Sequence, residues 1–374
     1  MTADIEKKIH QTFQYLHDNA ELSWEEVETT NYLKKLLEEH GCETITFDDC
    51  TGVVGKYGNF DAGLPVVAIR GDIDALWQEV DGEFKANHSC GHDAHMSIAL
   101  GALWLLQARP ELKDKVALKV VFQPAEEVGA GALKMVEKGV IDDVEYFYGL
   151  HLRPIAETVM GRASSVIIHG ATRRLIYAIK GDDAHAARPH LNKNAIEIGS
   201  EILQLVSNIH IDPRIPHSAK MTQFQAGGRS GNIIPGSATF TLDLRAQNND
   251  TMEILVNKVK NIVDSIKTLY NVDISLTKES GIVAAVTNDE AIAIAEAAII
   301  KQLGEEGLEK PIVTPGGDDF HYYTVKKPAL KATMIGLGCD LEPGLHHPNM
   351  RFNHDALING AKVLYQMILD TYKI

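Results

Sequence analysis

The sequence predicts an α/β domain with a mainly parallel sheet, into which a smaller α+β domain of ferredoxin-like βαββαβ order is inserted. Three observations support this fold class. Apolar runs of strand length alternate with helical stretches up to residue 150. A different order of strands and helices follows in the middle of the chain, and the α/β alternation returns near the C-terminus. We therefore expect one domain from residues 1–167 and 284–374, and a second from residues 168–283.

Two helices are expected before residue 41. The apolar residues of the second follow a helical period: Trp24, Val27, Tyr32, Leu33, Leu36 and Leu37. Ser23 fits its N-cap, and Glu26 would complete a capping box with that serine. Gly41 is a typical residue for the end of such a helix.

Strands and helices alternate through the rest of the first part. The strands are expected at 65–70, 116–122 and 146–150, and the helices at 96–107 and 132–138. Polar residues follow each strand: Asp72 and Asp74, then Glu126 and Glu127, then His151. Because open α/β sheets place their sites at the carboxyl ends of strands, this edge is the expected site.

The inserted domain has a different order of elements. We expect strands at 175–180, 220–225, 238–245 and 272–277, with helices at 194–209 and 251–270. After it come a helix at 289–303, a strand at 332–337 and a closing helix at 355–372. The first domain is then discontinuous, and its second part can return residues to the same site.

The composition excludes several classes of protein. The chain has 374 residues, of which 45% are hydrophobic and 23% charged, as in globular proteins. A formal charge of −15 disfavours a nucleic-acid surface, and no apolar run approaches the roughly 18 residues of a membrane span. The N-terminus has no apolar signal segment, and the four cysteines show no pairing pattern, so we expect a cytoplasmic protein.

Residues 87–95 concentrate the side chains that bind divalent metals: one thiol, three imidazoles and a carboxylate. The glycine between Cys90 and His92 allows a tight turn that aims both at one ion. A structural zinc site would need paired halves, and the other cysteines stand singly: Cys42, Cys50 and Cys339. A catalytic site of mixed ligands is therefore favoured over a structural one.

Adjacent Glu126 and Glu127 follow a buried-looking strand, and neighbouring side chains there should point in opposed directions. One would then bind metal while the other serves as general base, although a solvated acidic loop is an equal alternative. A lone histidine such as His151 is more often structural than a ligand. Of the adjacent His346 and His347, at most one is expected to reach a given ion.

Two segments of the inserted domain are candidates for substrate contact. His185 lies among small residues at 181–190, where the alternative is a turn that caps the following helix. The glycine-rich loop at 227–231 lacks the Gly-Lys-Ser/Thr ending of a phosphate-binding loop, so we interpret it as backbone near a substrate.

These motifs, in this order and over essentially the whole chain, resemble the di-metal amidohydrolases of the aminoacylase, hippurate hydrolase and indole-acetyl-amino-acid hydrolase group. Carboxypeptidase G-type enzymes are more distant relatives of that group. The matching segments are 17–26, 70–76, 88–95, 123–127, 149–154, 185–187, 232–235, 317–320 and 345–348. Each segment is weak alone, and their joint order is specific.

The resemblance implies a role for each matching residue. Two divalent ions (Zn, Mn, Co or Ni) would be bound by Cys90, His92, Glu127, His151 and His346. Cys90 would bridge the ions, and His346 is chosen over its neighbour because the family has histidine at that position. Glu126 matches the general base, and His185 the residue that polarises the scissile carbonyl. Asn232 and Arg245 match positions that hold the substrate's amide or carboxylate.

The resemblance also implies an activity and partners. The expected reaction is hydrolysis of N-acyl amino acids or related small amides, in a homodimer or higher oligomer formed through the inserted lid domain. We expect no nucleic-acid or membrane partner. One alternative is a catalytically silent relative that binds a small acyl-amino acid or a protein. A cysteine hydrolase using Cys90 is disfavoured, because a thiolate committed to metal cannot attack.

Three departures from the family pattern concern substrate choice. Trp77 stands where proline is usual, Val128 replaces a common glycine, and Asp182 and Asp183 replace a more glycine-rich approach to His185. A bulky indole and two carboxylates are expected to reshape the pocket and repel acidic substrates.

Overall fold

The computed structural model describes residues 2–374, which form two compact units. The first consists of residues 2–168, 286–313 and 319–374. The second consists of residues 169–285 and 314–318.

The elements up to residue 169 begin with two helices and continue as alternating strands and helices. In chain order they are α1 (Thr2–Asp18), α2 (Val27–Glu39), β1 (Glu43–Thr46), β2 (Val53–Gly58), β3 (Val66–Asp72), β4 (Leu76–Val80), β5 (Glu83–Asn87), α3 (His92–Gln107), β6 (Ala117–Gln123), α4 (Gly131–Glu137), β7 (Val144–Pro154), β8 (Ala163–Ser164) and β9 (Ile167–His169).

The second unit follows directly. Its elements are β10 (Ala171–Lys180), β11 (Ala184–His185), α5 (Ala195–Ser207), β12 (His217–Ala226), β13 (Ile233–Ile234), β14 (Ala238–Ala246), α6 (Asn249–Tyr270) and β15 (Asp273–Ile282). The remaining elements are α7 (Asp289–Leu303), β16 (Leu308–Glu309), β17 (Ile312–Thr314), α8 (His321–Lys326), β18 (Lys331–Leu341) and α9 (Ala356–Tyr372).

An eight-stranded sheet in the order β1-β2-β6-β3-β7-β18-β8-β16 forms the centre of the first unit. The four middle strands, β6, β3, β7 and β18, run parallel, while β1, β2 and β8 introduce antiparallel pairs. The predicted mainly parallel sheet is thus confirmed, with antiparallel pairing outside the four middle strands.

Both faces of this sheet are covered, which explains why its middle strands lack an alternating polar pattern. Every residue of β6 is buried, as expected for a parallel strand between two helical layers. Helices α1, α3 and α9 share one apolar core, and α4 and α8 share another. The carboxyl ends of β3, β6 and β7 then lie along one edge of the sheet.

The predicted capping box at the start of α2 is wrong. This helix begins at Val27, and Glu26 at its N-cap makes no capping hydrogen bond with its side chain. Glu21 caps the helix instead, because its carboxylate accepts from the backbone N–H groups of Glu28 (3.1 Å) and Thr29 (2.7 Å). Ser23 donates to Asp74 at 2.6 Å.

The end of α2 follows the prediction, whereas part of its predicted apolar face does not. Gly41 has a left-handed φ of 67° and donates to Glu38, which closes the helix. Leu33 and Leu37 are fully buried, but Trp24 precedes the helix and is exposed. The predicted apolar face is therefore buried at Leu33 and Leu37 but not at Trp24.

The second unit is an antiparallel sheet of order β12-β14-β10-β15 covered by α5 and α6. Its long elements follow one another as strand, helix, strand, strand, helix and strand. The facing sides of the sheet and helices form a separate apolar core. No helix within residues 2–374 is long and apolar enough to cross a bilayer.

We expect Glu21→Ala to lower the free energy of unfolding by about 1 kcal/mol, because two N–H groups of α2 lose their acceptor. Denaturant unfolding measures this change. Ser23→Ala should not reproduce the loss of helix capping. If Ser23→Ala alone frays α2 in amide hydrogen exchange while Glu21→Ala leaves it protected, the assignment of the cap is wrong.

Candidate functional site

The five predicted metal ligands lie together in the first unit. The Cys90 sulfur is 3.5 Å from Nε2 of His151 and 3.3 Å from Nε2 of His346. Two groups of donor atoms share this sulfur, one with His92 and His151 and the other with Glu127 and His346. Within each group all donor atoms lie within 4.8 Å of one another.

A left-handed glycine shapes the loop that carries Cys90 and His92. Gly91 has a φ of 86° and precedes the first residue of α3. A larger residue would be strained at this φ, and its Cβ atom would lie 2.9 Å from the Leu152 side chain, which would have to shift. The sequence predicted a tight turn that aims Cys90 and His92 at one ion, and the donor atoms of these two residues lie in one group with His151.

The rings of His92 and His151 are both oriented by backbone carbonyl groups. Nδ1 of His92 donates to the carbonyl of Asp74 at 2.8 Å, and Nδ1 of His151 donates to that of Leu152 at 2.7 Å. In its neutral form, each ring would therefore present the lone pair of Nε2, as in metal-bound histidines. His151 lies inside β7 rather than after a strand, because this strand continues to Pro154.

The chemistry of the site fits a cation. Within residues 2–374, Nε2 of His92 and Oε1 of Glu127 are buried and have no hydrogen-bond partner. These two atoms lie 3.8 Å apart, and the same oxygen lies 3.6 Å from Nε2 of His346. Buried acceptors without donors are costly, and bound divalent cations would satisfy these atoms.

Glu126 and Glu127 do not diverge as an extended chain would require. Ala125 adopts a left-handed φ of 53°, and the chain turns after β6 with Gly129 donating to Glu126 at 2.7 Å. Oε2 of Glu126 and Oε1 of Glu127 consequently both approach Nε2 of His92, at 3.9 and 3.8 Å. The predicted opposition of the two side chains is wrong, because the segment is a turn and not a strand.

Backbone amides hold both carboxylate residues in place. Oε1 of Glu126 accepts from the N–H of Asp319 at 3.4 Å. The N–H of Glu127 donates to Asp74 at 3.0 Å. Glu126 is only 7% exposed, so its carboxylate is shielded from bulk water.

His346 reaches the site in a left-handed conformation, with a φ of 64°. Its N–H donates to the Ser89 carbonyl at 2.7 Å, and its own carbonyl accepts from Nε2 of Gln78 at 2.8 Å. Oε1 of Gln78 in turn accepts from the Ser89 hydroxyl at 2.8 Å. Gln78 thus connects the loop that contains Ser89 and Cys90 with the loop that contains His346. Nδ1 of His347 accepts from the N–H of Asn349 instead.

Of the two other histidines of the 87–95 segment, His95 has both ring nitrogens hydrogen-bonded, whereas within the described part of the chain His88 has neither. Nδ1 of His95 donates to Asp72 at 2.7 Å, and its Nε2 accepts from the N–H of Leu152 at 3.1 Å. His88 is buried, which lowers its pKa to about 4 and keeps the ring neutral near pH 7. Burial raises the pKa of the Cys90 thiol, so without a cation the group is not an activated nucleophile.

A buried ion-pair network supports this cluster, and the sequence did not assign roles to its members. Arg70 donates to Asp72 at 2.5 Å, to Asp319 at 3.1 Å and to Gln123 at 3.1 Å. Burial alone would raise the pKa of Asp72, but the guanidinium of Arg70 and the neighbouring rings of His92 and His95 hold it well below the usual range. The signals for these residues were the matching segments 70–76, 123–127 and 317–320 and the position of Asp72 after a strand.

Three predicted site residues belong to the second unit. His185 is exposed, and its Nδ1 accepts from the N–H of Ala187 at 3.0 Å, so the neutral ring carries its proton on Nε2. Asn232 is also exposed. Arg245 donates to both carboxylate oxygens of Asp243, at 2.8 and 3.2 Å.

Comparison with known proteins identifies the family. The model of peptidase family M20/M25/M40 matches residues 68–370. The chain belongs to this family. Its membership confirms the predicted enzyme class, a metal-dependent amidohydrolase.

Two curated relatives are similar to this M20 chain over nearly its whole length. An N-acetyl-L-cysteine deacetylase from Bacillus subtilis is 32% identical, with 97% of this chain and 88% of the relative covered. An IAA-amino acid hydrolase from Arabidopsis thaliana is 30% identical, with 96% and 84% covered.

A solved structure of a dinuclear metal-binding M20 peptidase from B. subtilis is similar to this chain, with a TM-score of 0.79 and 24% identity. The similarity covers 99% of each chain. This likeness supports the M20 fold. The curated relatives are named as enzymes, so they give no support to a catalytically silent binding protein.

We expect Arg70→Met to lower the free energy of unfolding by about 3–5 kcal/mol, because it leaves Asp72 and Asp319 buried without their cation. Denaturant titration at pH 7 measures the change. Arg109→Met provides a matched control, since Arg109 pairs with Glu111 at the surface, and it should leave stability unchanged. Equal stability of the two variants would show that the buried network does not support the site.

Proposed function

We propose that this M20 enzyme hydrolyses the amide bond of N-acyl amino acids or related small amides. The observation that carries the proposal is the pair of donor groups that share Cys90 beside the buried carboxylate of Glu126. The names of the two curated relatives agree in one respect, since each describes removal of an acyl group from an amino acid.

Two divalent cations would be held by the donor atoms of the two groups. The residues are Cys90, His92, Glu127, His151 and His346. Cys90 is the candidate bridge because it belongs to both groups. When bound, such ions polarise the amide carbonyl and make a water more acidic. Thiolate, imidazole and carboxylate ligands together suit Zn, Mn, Co and Ni.

Glu126 is the proposed general base. Its carboxylate lies beside the ligands, 3.9 Å from Nε2 of His92, and the N–H of Asp319 orients it. In this role Glu126 removes a proton from the attacking water and later delivers it to the departing amine. Glu127 is proposed as a metal ligand, so the role of general base falls to Glu126.

His185 is proposed to polarise the scissile carbonyl and stabilise the developing oxyanion. The hydrogen bond from Ala187 to Nδ1 leaves Nε2–H of the neutral ring as the donor for this task. Asn232 and Arg245 are proposed to bind the substrate's amide or carboxylate. For Arg245 this requires that a substrate carboxylate replaces Asp243, its present partner.

The remaining proposals concern assembly, location and substrate choice. We propose a cytoplasmic homodimer formed through the inserted unit, which would act as a lid. Trp77 is 60% exposed and stacks on Phe84 in the β4–β5 hairpin, and we propose that it influences the choice of acyl group. Asp182 and Asp183 would disfavour acidic substrates near His185.

A panel of N-acetyl, N-benzoyl and indole-acetyl amino acids, each tested with Zn, Mn, Co and Ni, examines the proposed reaction. Release of the free amino acid is the measurement. We expect turnover with at least one substrate and metal, and its loss on chelation. Activity that resists chelators but is blocked by a thiol reagent would contradict the proposal.

Glu126→Gln should abolish turnover while the protein retains its metal, because the amide cannot accept the proton and the ligand set is intact. Turnover and metal content are measured on the same preparation. We expect kcat to fall by at least about 100-fold. Retention of more than a tenth of the wild-type rate would exclude Glu126 as the base.

Gln78→Ala should weaken binding of one of the two ions by about 10- to 100-fold, because the loop that carries His346 keeps its direct bond to the Ser89 carbonyl but loses the second link through the Gln78 side chain. Calorimetric titration of metal-free protein with Zn measures the two affinities. Gln14→Ala, at an exposed position in α1, is the control. Two ions bound at wild-type affinity would contradict the proposed role of Gln78.

A further inference from the structure

Glu26 is a buried carboxylate that the proposed chemistry does not use. Its side chain is 0% exposed, although it stands at the N-cap of α2, where an acidic side chain usually reaches solvent or caps the helix. Burial raises the pKa of Glu26 to about 7. A carboxylate in such a position is destabilising unless specific hydrogen bonds compensate its desolvation.

Two donors supply that compensation. Oε1 of Glu26 accepts from the N–H of Ala125 at 2.8 Å, and Oε2 accepts from the hydroxyl of Thr51 at 2.5 Å. The backbone carbonyl of Glu26 accepts from the hydroxyl of Thr30 at 2.6 Å, and that hydroxyl accepts from the N–H of Gly52 at 2.9 Å. The start of α2 is thereby joined to the 51–52 turn and to the turn after β6.

The N–H group that donates to Oε1 of Glu26 belongs to Ala125, the left-handed residue of the turn after β6. Ala125 is fully buried and has a φ of 53°, a left-handed conformation that is unfavourable for a non-glycine residue. Its carbonyl accepts from the N–H of Gly131 at 3.1 Å. The two peptide groups that flank Ala125 are therefore both held, the first by Glu26 at the N–H and the second by the start of α4 at the carbonyl.

We propose that Glu26 is a positioning residue, which holds the left-handed turn at Ala125 and so places the carboxylates of Glu126 and Glu127 together at the site. Its importance for turnover rests on the proposed function. Its effect on the turn does not, because the turn can be observed without substrate.

Three variants separate this role from a general effect on folding. Glu26→Ala removes both contacts. Glu26→Gln is isosteric, since its carbonyl can accept from Ala125 while its amide donates to the Thr51 hydroxyl. Glu21→Ala is the matched control, because Glu21 also binds the start of α2 but has no contact with the turn after β6.

Amide hydrogen exchange of the peptide 122–130 is the first measurement. We expect Glu26→Ala to raise the exchange rate of the Ala125 and Glu127 amides at least about tenfold, and Glu26→Gln and Glu21→Ala to leave both within about threefold of wild type. Wild-type protection in Glu26→Ala, or equal loss in Glu21→Ala, would overturn the proposal.

Steady-state kinetics on an N-acyl amino acid that the wild type cleaves is the second measurement. Glu26→Ala should reduce kcat by at least about tenfold with little change in KM, and Glu26→Gln should restore most of the rate. A rate in Glu26→Gln as low as in Glu26→Ala would overturn the positioning role. Should no substrate be cleaved by the wild type, the proposed reaction fails while the exchange measurement still decides the role of Glu26.

Discussion

The contact of the Arg70 guanidinium with Asp72 and Asp319 is the constraint on which the site depends. Arg70 stands on β3 and is 1% exposed, so its charge must be neutralised inside the protein. Asp72 then orients His95, and the backbone of Asp319 donates to Glu126. Through Asp72 and Asp319, the Arg70 guanidinium thus links the end of β3, the helix α3 and the proposed base, Glu126.

The predicted site beside this network contains more hydrogen-bond acceptors than donors. The backbone carbonyl groups of Asp74 and Leu152 occupy the Nδ1 side of His92 and His151, which leaves the opposite nitrogen of each ring directed at the Cys90 sulfur or the Glu127 carboxylate. Such a surplus is unfavourable in a closed apolar environment. This arrangement is expected of a protein in which a preorganised cation site lowers the stability of the fold.

Local signals at the start of α2 misled the sequence interpretation for a physical reason. A serine three residues before a glutamate is the pattern of a capping box, but the pattern does not say where either side chain finds its best partner. Glu26 binds the turn at Ala125, nearly a hundred residues along the chain, and Glu21 caps the helix. The same turn makes Glu126 and Glu127 converge, whereas an extended segment would have separated them.

Sequence alone determined the parallel core, the order of the main elements and the ligand types, because apolar periodicity and the chemistry of thiol, imidazole and carboxylate are local properties. Family motifs added the choice of His346. Tertiary structure alone decided which lone pairs are available, since that depends on carbonyl groups and carboxylates from distant segments. It also decided the hydrogen-bond partners of Gln78 and Glu26, because neither residue carries a local pattern that reveals its partner.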